Sequence, residues 1–317
     1  MSDPIIVITG PELAAYGFPN GHPFGPDRHD AFMAELEQSA CVPVLDRQPS
    51  REASREEIES FHTPGYIDLV IKLSEAGAGY LDGGDTPAYP GVYEAAAHTV
   101  GGTLDALQFV LEGAVPRAFN PIGGLHHAAR NTAAGFCVFN DAAVAIAIAL
   151  DRFGLKKVAY VDIDAHHGDG VFYGFEDDPR VIFADVHEDG RFLYPGTGNR
   201  SETGKGEAVG TKLNIPMPPG SDDSAFLAIW DEVEAHIEAG SPQLIFLQCG
   251  ADSLAGDPIT HLNYSADAHA HAARRLRTLA DHYCGGRIIA MGGGGYNRSN
   301  LASAWTRVVE NLAGCDN

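Results

Sequence analysis

The residues best suited to chemistry lie in one short stretch, positions 157–170, which reads KVAYVDIDAHHGDG. Positions 158–161 form an apolar run typical of a buried strand, and this run leads directly into Asp162, Asp164 and His166. If the extended backbone continues, these alternating side chains point the same way. Two carboxylates and an imidazole that converge at a strand end are typical of a metal site. The ordinary alternative is a turn of surface polar residues, which the preceding apolar strand disfavours.

Asp257 is the predicted third metal ligand. It lies in a Gly-Asp-Pro turn at 256–258, which presents a short carboxylate rigidly. Together with Asp164 and His166 it would leave an open coordination position for water, as a catalytic metal requires. This mixed set of oxygen and nitrogen ligands favours Zn²⁺ and allows Fe²⁺. Taken alone, Asp257 is explained equally well as an ordinary turn residue.

A tandem pair, His126 and His127, follows two glycines at 123–124. Adjacent histidines could serve as general base and general acid, each with a carboxylate that fixes its tautomer. Asp162 and Asp169 are the candidates for those carboxylates, since Asp164 is already assigned to the metal. The alternative is a structural pair or a surface turn.

Aromatic residues in glycine-containing loops complete the candidate set. Tyr296 ends the glycine run at 292–295, so its phenol could donate to a developing oxyanion. The alternative for this run is a mobile loop, and a phosphate-binding loop is disfavoured because the required spacing and lysine are missing. Phe136, after Gly135, and Tyr194, before Pro-Gly-Thr-Gly, could line a narrow apolar channel. Each ring by itself is more readily explained by packing.

These residues must be positioned by strands and helices that alternate along the chain. Strand-like runs lie at 5–9, 116–119, 158–161, 181–184, 244–248 and 288–291, and helical segments near 92–111, 141–152, 222–239, 265–283 and 300–312. The candidate residues follow several of these strands, at the edge where open α/β sheets bind ligands. We therefore predict one domain, residues 1–317, of the three-layer α/β/α class with a central, mainly parallel sheet.

Charge and cysteine content limit the classes of partner. The net charge is −22, with 43 acidic and 21 basic residues, so direct binding to nucleic acid or to an anionic membrane is disfavoured. The acidic residues are scattered and name no partner. The five cysteines have no Cys-x-x-Cys spacing, and neither a signal peptide nor a membrane-spanning run is recognisable. We expect a soluble cytoplasmic protein with reduced thiols, and the oligomeric state stays open.

Six motifs occur in a fixed order: GGLHHA at 123–128, GFCVFND at 135–141, DIDAHHGDG at 162–170, YPGTG at 194–198, GADSLAGDP at 250–258 and GGGGY at 292–296. Together they resemble the zinc-dependent histone deacetylase family, in the bacterial branch that includes acetoin-utilisation-type deacetylases. The resemblance extends over nearly the whole chain and implies an arginase/deacetylase-like fold. It also implies a zinc-dependent hydrolase that removes acetyl groups from lysine side chains.

The resemblance implies a role for each catalytic candidate. The zinc ligands would be Asp164, His166 and Asp257. His126 and His127 would form the acid–base pair, with His127 as the working base and acid. The other implied members are the carboxylates behind the two histidines and the phenol that hydrogen-bonds the scissile carbonyl: Asp162, Asp169 and Tyr296.

The resemblance also implies substrate contacts. Phe136 and Tyr194 would flank the acyl-lysine channel beside Gly135, although the family more often has Phe at the position of Tyr194. Arg28 resembles the arginine beneath the site, near the acetate exit. Asp85 resembles the acid on the rim that orients the substrate backbone.

Two further features bear on metal content. Asp162 and the backbone that follows it resemble a monovalent cation site that would hold K⁺, but Asp185 stands where the family usually has Ser. The stretch around Asp164 also resembles the arginase metal motif. A second metal there would require a carboxylate at position 168, which is Gly168. One divalent ion is therefore favoured over two.

Two rival functions stay open. The same chemistry could act on an acetylated polyamine or another small amide. A protein of a different class, a non-catalytic binder of acyl ligands that holds a metal, is the second rival. The combination of His126, His127 and Tyr296 argues against the binder, because binding alone does not require all three.

Overall fold

A single sheet of eight strands organises the molecule. The computed structural model describes residues 2–315 of the chain. In chain order the strands are β1 (Ile5–Thr9), β2 (Leu45–Pro49), β3 (Arg117–Asn120), β4 (Val158–Asp162), β5 (Val181–Glu188), β6 (Lys212–Met217), β7 (Ile245–Gln248) and β8 (Ile288–Met291).

The strand pairings are all parallel, in the order β2-β1-β3-β8-β7-β4-β5-β6 across the sheet. Parallel strands are covered on both faces and therefore have continuous apolar sequences. The central strands β4 and β8, with sequences VAYVD and IIAM, are completely buried. The predicted parallel sheet is confirmed, and the six predicted strands are present with small shifts at their ends.

The edge strands β2 and β6 were not predicted. The sequence of β2, LDRQP, is mostly polar, and this strand is only partly buried. In β6, Pro216 interrupts an otherwise strand-like sequence, and proline is tolerated at an edge because no neighbour needs its N–H. Strands with one solvated side lack the apolar run by which the buried strands were recognised.

Among residues 2–315, ten α-helices cover the sheet. They are α1 (Pro11–Ala14), α2 (Asp27–Leu36), α3 (Arg55–Ile58), α4 (Pro64–Ala76), α5 (Val92–Glu112), α6 (Asp141–Asp151), α7 (Asp169–Gly174), α8 (Asp223–Gly240), α9 (Ala266–Tyr283) and α10 (Arg298–Ala313). Strand β4 shows how they divide into two layers. Val158 and Tyr160 pack into the core with α5 and α6, whereas Ala159 and Val161 pack into the core with α8, α9 and α10. The predicted three-layer arrangement is confirmed.

The prediction of reduced thiols is wrong for one pair. Cys41 and Cys315 form a disulfide with a Cα–Cα distance of 5.6 Å, within the usual range. The two residues meet because α2 and α10 pack side by side, which no sequence spacing reveals. Cys137, Cys249 and Cys284 are free and buried. Within the described residues, no helix has the length and apolar character needed to cross a membrane.

Candidate active site

The candidate catalytic residues converge at the carboxyl ends of four neighbouring strands, β3, β8, β7 and β4. His126 and His127 follow β3, the Asp162–Asp169 stretch follows β4, Asp252 follows β7, and Tyr296 follows β8. Because the strands are parallel, all four loops leave the sheet at the same edge. The fold thus brings together side chains that are far apart in sequence.

Asp164, His166 and Asp252 form a buried group whose ligand atoms lie within 4.8 Å of one another. Nδ1 of His166 lies 3.0 Å from Oδ1 of Asp164 and 3.0 Å from Oδ2 of Asp252. Burial and the charge of Asp164 raise the pKa of Asp252 to about 7. Burial disfavours the charged imidazole, but Asp252 and Asp164 raise the pKa of His166 to about 10. Two carboxylates that face one imidazole nitrogen attract a cation, so this donor set fits a divalent metal.

Asp257, the predicted third ligand, is not part of that compact group. Its Oδ2 accepts from the backbone N–H of Tyr296 at 2.9 Å, and its Oδ1 accepts from that of Ile259 at 3.1 Å. Burial raises the pKa of Asp257, and the charge of Asp164 adds to the rise. Asp257 therefore lies close enough to Asp164 to sense its charge, and its role as a ligand stays a prediction.

His126 and His127 face each other through their Nε2 atoms, 3.1 Å apart. Nδ1 of His126 lies 2.8 Å from Asp162, and Nδ1 of His127 lies 2.6 Å from Asp169. Burial opposes the charge on His126, but Asp162 and Asp164 raise its pKa to about 10. Burial and the neighbouring charge of His126 lower the pKa of His127 to about 4. These surroundings therefore favour the protonated form of His126 and the neutral form of His127.

Asp162 is fully buried behind His126. Its Oδ2 accepts from the phenol of Tyr160 at 2.7 Å as well as from His126, and its Oδ1 accepts from the backbone N–H of Asp164 at 3.1 Å. Burial raises the pKa of Asp162 to about 6. The hydrogen bonds fix the orientation of the carboxylate, and the carboxylate in turn fixes the imidazole of His126.

Asp185, the second candidate for a monovalent cation site, lies behind this cluster and already has partners. Its Oδ2 accepts from the backbone N–H of Gly168 at 2.8 Å, and its Oδ1 lies 2.7 Å from Nδ1 of His187. The other ring nitrogen of His187 lies 3.0 Å from the carbonyl oxygen of Gly198. A histidine whose two ring nitrogens both face acceptors carries a proton on each of them, which is the imidazolium form. His187 therefore supplies positive charge within the protein, and the residues fit a monovalent ion poorly.

Tyr296 is fixed by the chain on both sides of it. Its own N–H donates to Asp257, and the side chain of Asn297 caps α10 by accepting from the N–H groups of Ser299 at 3.1 Å and Asn300 at 3.3 Å. Burial raises the pKa of the Tyr296 phenol well above its ordinary value. The phenol therefore stays protonated and can donate a hydrogen bond.

Arg28 lies fully buried beneath the glycine run that precedes Tyr296. Its Nε donates to the carbonyl oxygen of Gly295 at 3.0 Å, and one terminal nitrogen donates to that of Gly293. Its guanidinium lies 3.9 Å from the centre of the Phe24 ring. The other terminal nitrogen has no hydrogen-bond partner among the described residues. Arg28 thus supports the loop from below, and its predicted role at an acetate exit stays a prediction.

A cavity of about 270 Å³ connects this site to the surface. It contains all four predicted substrate-contacting residues, and its lining comprises Asp85, His127, Gly135, Phe136, His166, Leu193, Tyr194, Ile259 and Tyr296. The ring of Tyr194 lies 5.2 Å from that of His127, and the ring of Phe136 lies 5.8 Å from that of Tyr296. Asp85 is exposed at the outer end. The shape is that of a channel with aromatic walls and an acidic rim.

Three residues of this region were not predicted as functional. Leu193 and Ile259 line the cavity, and sequence offers no signal for them beyond their position beside Tyr194 and Asp257. Asp252 belongs to the compact group with Asp164 and His166 that could hold a metal ion. Its signal was present, since it lies in a Gly-Ala-Asp sequence directly after β7, but Asp257 was assigned instead.

The chain was compared with known proteins. Residues 22–312 match the histone deacetylase domain. The acetoin utilization protein AcuC of Bacillus subtilis is 39% identical over 324 residues, which covers 98% of this chain and 82% of the relative. The histone deacetylase RPD3 of Saccharomyces cerevisiae is 31% identical over 303 residues, 93% of this chain and 68% of that protein. The crystal structure of the HDA15 HD domain has a TM-score of 0.90 at 29% identity and covers 98% of this chain and 88% of its own. The chain belongs to the histone deacetylase family.

Proposed function

We propose that this protein is a metal-dependent deacetylase that hydrolyses the amide bond of acetyl-lysine or a related acyl-lysine. The observation that carries the proposal is the position of His126 and His127 between a donor set that fits a metal ion and a channel open to solvent. The surroundings raise the pKa of His126 and lower that of His127, which favours one charged and one neutral imidazole, a division that suits acid–base catalysis of amide hydrolysis. Membership of the histone deacetylase family supports the same reaction class.

Each residue has a distinct task in the proposed reaction. A bound divalent ion supplies Lewis-acid polarisation of the carbonyl and lowers the pKa of water. His127 accepts the proton of the attacking water at Nε2 and later delivers it to the departing amine nitrogen. Tyr296 donates to the carbonyl oxygen as that oxygen gains negative charge. Asp169 holds the neutral imidazole of His127 in the required tautomer, and Asp162 orients the protonated ring of His126.

We propose Asp164, His166 and Asp257 as the metal ligands, with Zn²⁺ as the ion and Fe²⁺ as the alternative. Both carboxylates have partners: Asp252 faces Nδ1 of His166 and accepts from the backbone N–H of Ala165 at 2.9 Å, whereas Asp257 accepts from the backbone N–H groups of Tyr296 and Ile259. Asp252 is fully buried, whereas Asp257 is 8% exposed and keeps some access to the site. This supports Asp257 as the ligand and Asp252 as the group that orients His166. K⁺ is the weaker candidate, because His187 already supplies a positive charge beside Asp185.

The proposed substrates are acyl-lysine peptides or proteins. The walls formed by Phe136 and Tyr194 suit an unbranched chain, and the proposed role of Asp85, which lines the rim, is to accept from a backbone N–H of a peptide. Small acetylated amines are the alternative substrates. A cytoplasmic location is part of the proposal, although disulfides such as Cys41–Cys315 are rare in that compartment; cell fractionation tests it.

The test uses purified protein stripped with a chelator and then reloaded with Zn²⁺ or Fe²⁺. Acetate release is measured from an acetyl-lysine peptide and from acetylputrescine, with the His127→Ala variant at the same metal content as control. We expect peptide turnover that disappears with the metal, returns on reloading and is lost in the variant.

The other outcomes separate the rival functions. Faster turnover of acetylputrescine than of every acyl-lysine peptide would replace the peptide substrate with a small amine. Tight binding of acyl-lysine peptides without acetate release, at full metal content, would show that the protein is a binder.

A further inference from the structure

The Phe136 wall of the channel has an unusual backbone conformation. Ala134 and Cys137 are paired as in a two-residue hairpin, with hydrogen bonds of 2.8 Å and 3.2 Å between their backbones. The two residues between them, Gly135 and Phe136, have φ values of +51° and +69°. Positive φ at both central positions is the pattern of a type I′ turn, which favours Asn or Gly. A bulky aromatic residue is strained there, so neighbouring groups must hold it.

Two buried hydroxyl groups hold the peptide groups on either side of Phe136. The N–H of Phe136 donates to Oγ1 of Thr86 at 3.2 Å. Its carbonyl oxygen accepts from the phenol of Tyr16 at 2.7 Å, and the same phenol oxygen accepts from the N–H of Val138 at 3.0 Å. Thr86 is fully buried and Tyr16 is almost so. The strained residue is thus fixed at both ends by side chains from outside its own turn.

Thr86 also joins the Phe136 wall to the rim of the channel. Its hydroxyl donates to Oδ2 of Asp82 at 2.6 Å. Oδ1 of Asp82 accepts from the backbone N–H groups of Gly84 at 2.8 Å, Asp85 at 2.9 Å and Thr86 at 3.0 Å. The Asp82 carboxylate therefore fixes the conformation of the rim loop that carries Asp85. The Thr86 hydroxyl connects this loop to the Phe136 wall.

Displacement of this turn would reach the catalytic base. A Cβ atom added at Gly135 would lie 2.4 Å from Cδ2 of His127, so the turn packs directly against that imidazole. The ring of Phe136 lies 5.8 Å from that of Tyr296, across the channel. The turn therefore determines the width of the space through which a substrate side chain must pass.

We propose that Thr86 and Tyr16 are positioning residues that hold Phe136 in its left-handed conformation and thereby set the substrate channel of the proposed deacetylase. The two residues act through Phe136, and their hydroxyl groups hydrogen-bond neither the proposed metal ligands nor the proposed catalytic residues. The inference rests on the proposed function, and it concerns substrate binding more than the chemical step.

The experiment measures KM and kcat for an acetyl-lysine peptide in Thr86→Val, Thr86→Ser and Thr99→Val. Valine has the shape of threonine without the hydroxyl, and Thr99 is a buried threonine of α5 that does not line the channel. We expect KM to rise about tenfold in Thr86→Val, with kcat within about twofold of the starting protein, since the two hydrogen bonds of the hydroxyl, from the N–H of Phe136 and to Asp82, are lost. Thr86→Ser should restore KM, Thr99→Val should leave it unchanged, and Tyr16→Phe should act like Thr86→Val.

A double-mutant cycle separates positioning from general stability. In a Phe136→Gly background, which has neither the ring nor the strain, Thr86→Val should cause no further rise in KM. Hydrogen exchange of the peptide that covers 134–138 should be faster in Thr86→Val than in Thr99→Val. Unchanged KM and unchanged exchange in Thr86→Val would overturn the inference, as would an equal effect of Thr99→Val. Failure of the starting protein to release acetate would instead refute the proposed function, and the exchange measurement would still decide whether Thr86 holds the turn.

Discussion

His126 and His127 are adjacent in sequence and equally buried, yet their protonation states differ. The cause lies in their partners. His126 has the fully buried Asp162 and the charge of Asp164 close by, whereas His127 has the charged His126 as its neighbour and the partly exposed Asp169 behind it. Protonation of one imidazole disfavours protonation of the other, because two positive charges this close together repel each other strongly in a buried site. The choice of His127 as the proposed base therefore rests on the surroundings of the two imidazoles.

Replacement of Tyr296 by Phe should lower kcat by about 10²–10³-fold, because one preorganised donor to the developing oxyanion is lost. Tyr296 is positioned through its backbone N–H, which donates to Asp257 and is kept in the variant, so the fold and the metal content should stay unchanged. Steady-state kinetics and elemental analysis of the same preparation check this. Wild-type turnover with the metal bound would remove Tyr296 from the mechanism.

The assignment of the third metal ligand can be decided with two matched variants. Asp257→Asn should lose most of the bound metal, because a ligand is removed. Asp252→Asn should keep the metal but bind it about 10–100-fold more weakly, because it orients His166 without coordinating. Metal titration against a competing chelator measures both affinities. If the two variants behave the other way round, the compact group Asp164, His166 and Asp252 is the coordinating set.

The residues of the site were predictable to the extent that each follows a recognisable strand. Asp164, His166, His127 and Tyr296 could be selected as candidates because each follows a strand-like run or a run of glycines in the sequence, and the fold brings them together. The choice between Asp252 and Asp257 could not be read from the sequence. Both lie in the same loop after β7, and only their hydrogen bonds distinguish them.

At the scale of elements, the loops after β7 and β8 must approach each other closely beside the compact group of Asp164, His166 and Asp252. Gly294 allows this approach. Its N–H donates to Oδ2 of Asp164 at 2.8 Å, and an added Cβ atom would lie 2.2 Å from Oδ2 of Asp252 and 2.8 Å from Oδ2 of Asp164. The backbone of one loop therefore serves as a wall of the site, which requires glycine for reasons of space.

Gly294→Ala should weaken metal binding by about 10–100-fold, because the methyl group displaces the carboxylates that face His166. Gly65→Ala is the matched control, since Gly65 lies in α4 and has nothing within 4 Å of an added Cβ. The control should bind metal normally and melt at the same or a slightly higher temperature. Metal titration and thermal melts of both variants check the prediction, which fails if Gly294→Ala binds metal like the control.

The elements themselves were predictable where burial is complete. The four strands whose loops carry the site, β3, β4, β7 and β8, were all found, because a strand covered on both faces has a continuous apolar sequence. The edge strands β2 and β6 were missed because one side of each meets solvent or a loop, and polar residues or proline are tolerated there. The sequence pattern therefore predicted the central strands that carry the site, but not the two edge strands.

At the scale of the whole molecule, α2 and α10, which lie next to the site at their amino ends, are linked just beyond their carboxyl ends. Arg28, on α2, supports the glycine run, and α10 begins directly after Tyr296. These helices pack together, and the Cys41–Cys315 disulfide links the chain just beyond their carboxyl ends. The bond spans a sequence separation of 274 residues, so it closes nearly the entire chain into a loop. Its effect should therefore appear in stability more than in catalysis.

Loss of this bond should destabilise the fold by about 2–5 kcal/mol, because a cross-link that closes a long loop restricts the unfolded chain. Cys41→Ser should therefore melt several degrees lower than the starting protein, and a reductant should lower the melting temperature of the starting protein but not of the variant. Thiol titration in denaturant should find three thiols before reduction, those of Cys137, Cys249 and Cys284, and five after it. The kinetics at room temperature should be unchanged, since the bond lies at the far ends of α2 and α10. Five thiols before reduction, with melting curves that a reductant does not alter, would show that the two sulfurs are close but unbonded.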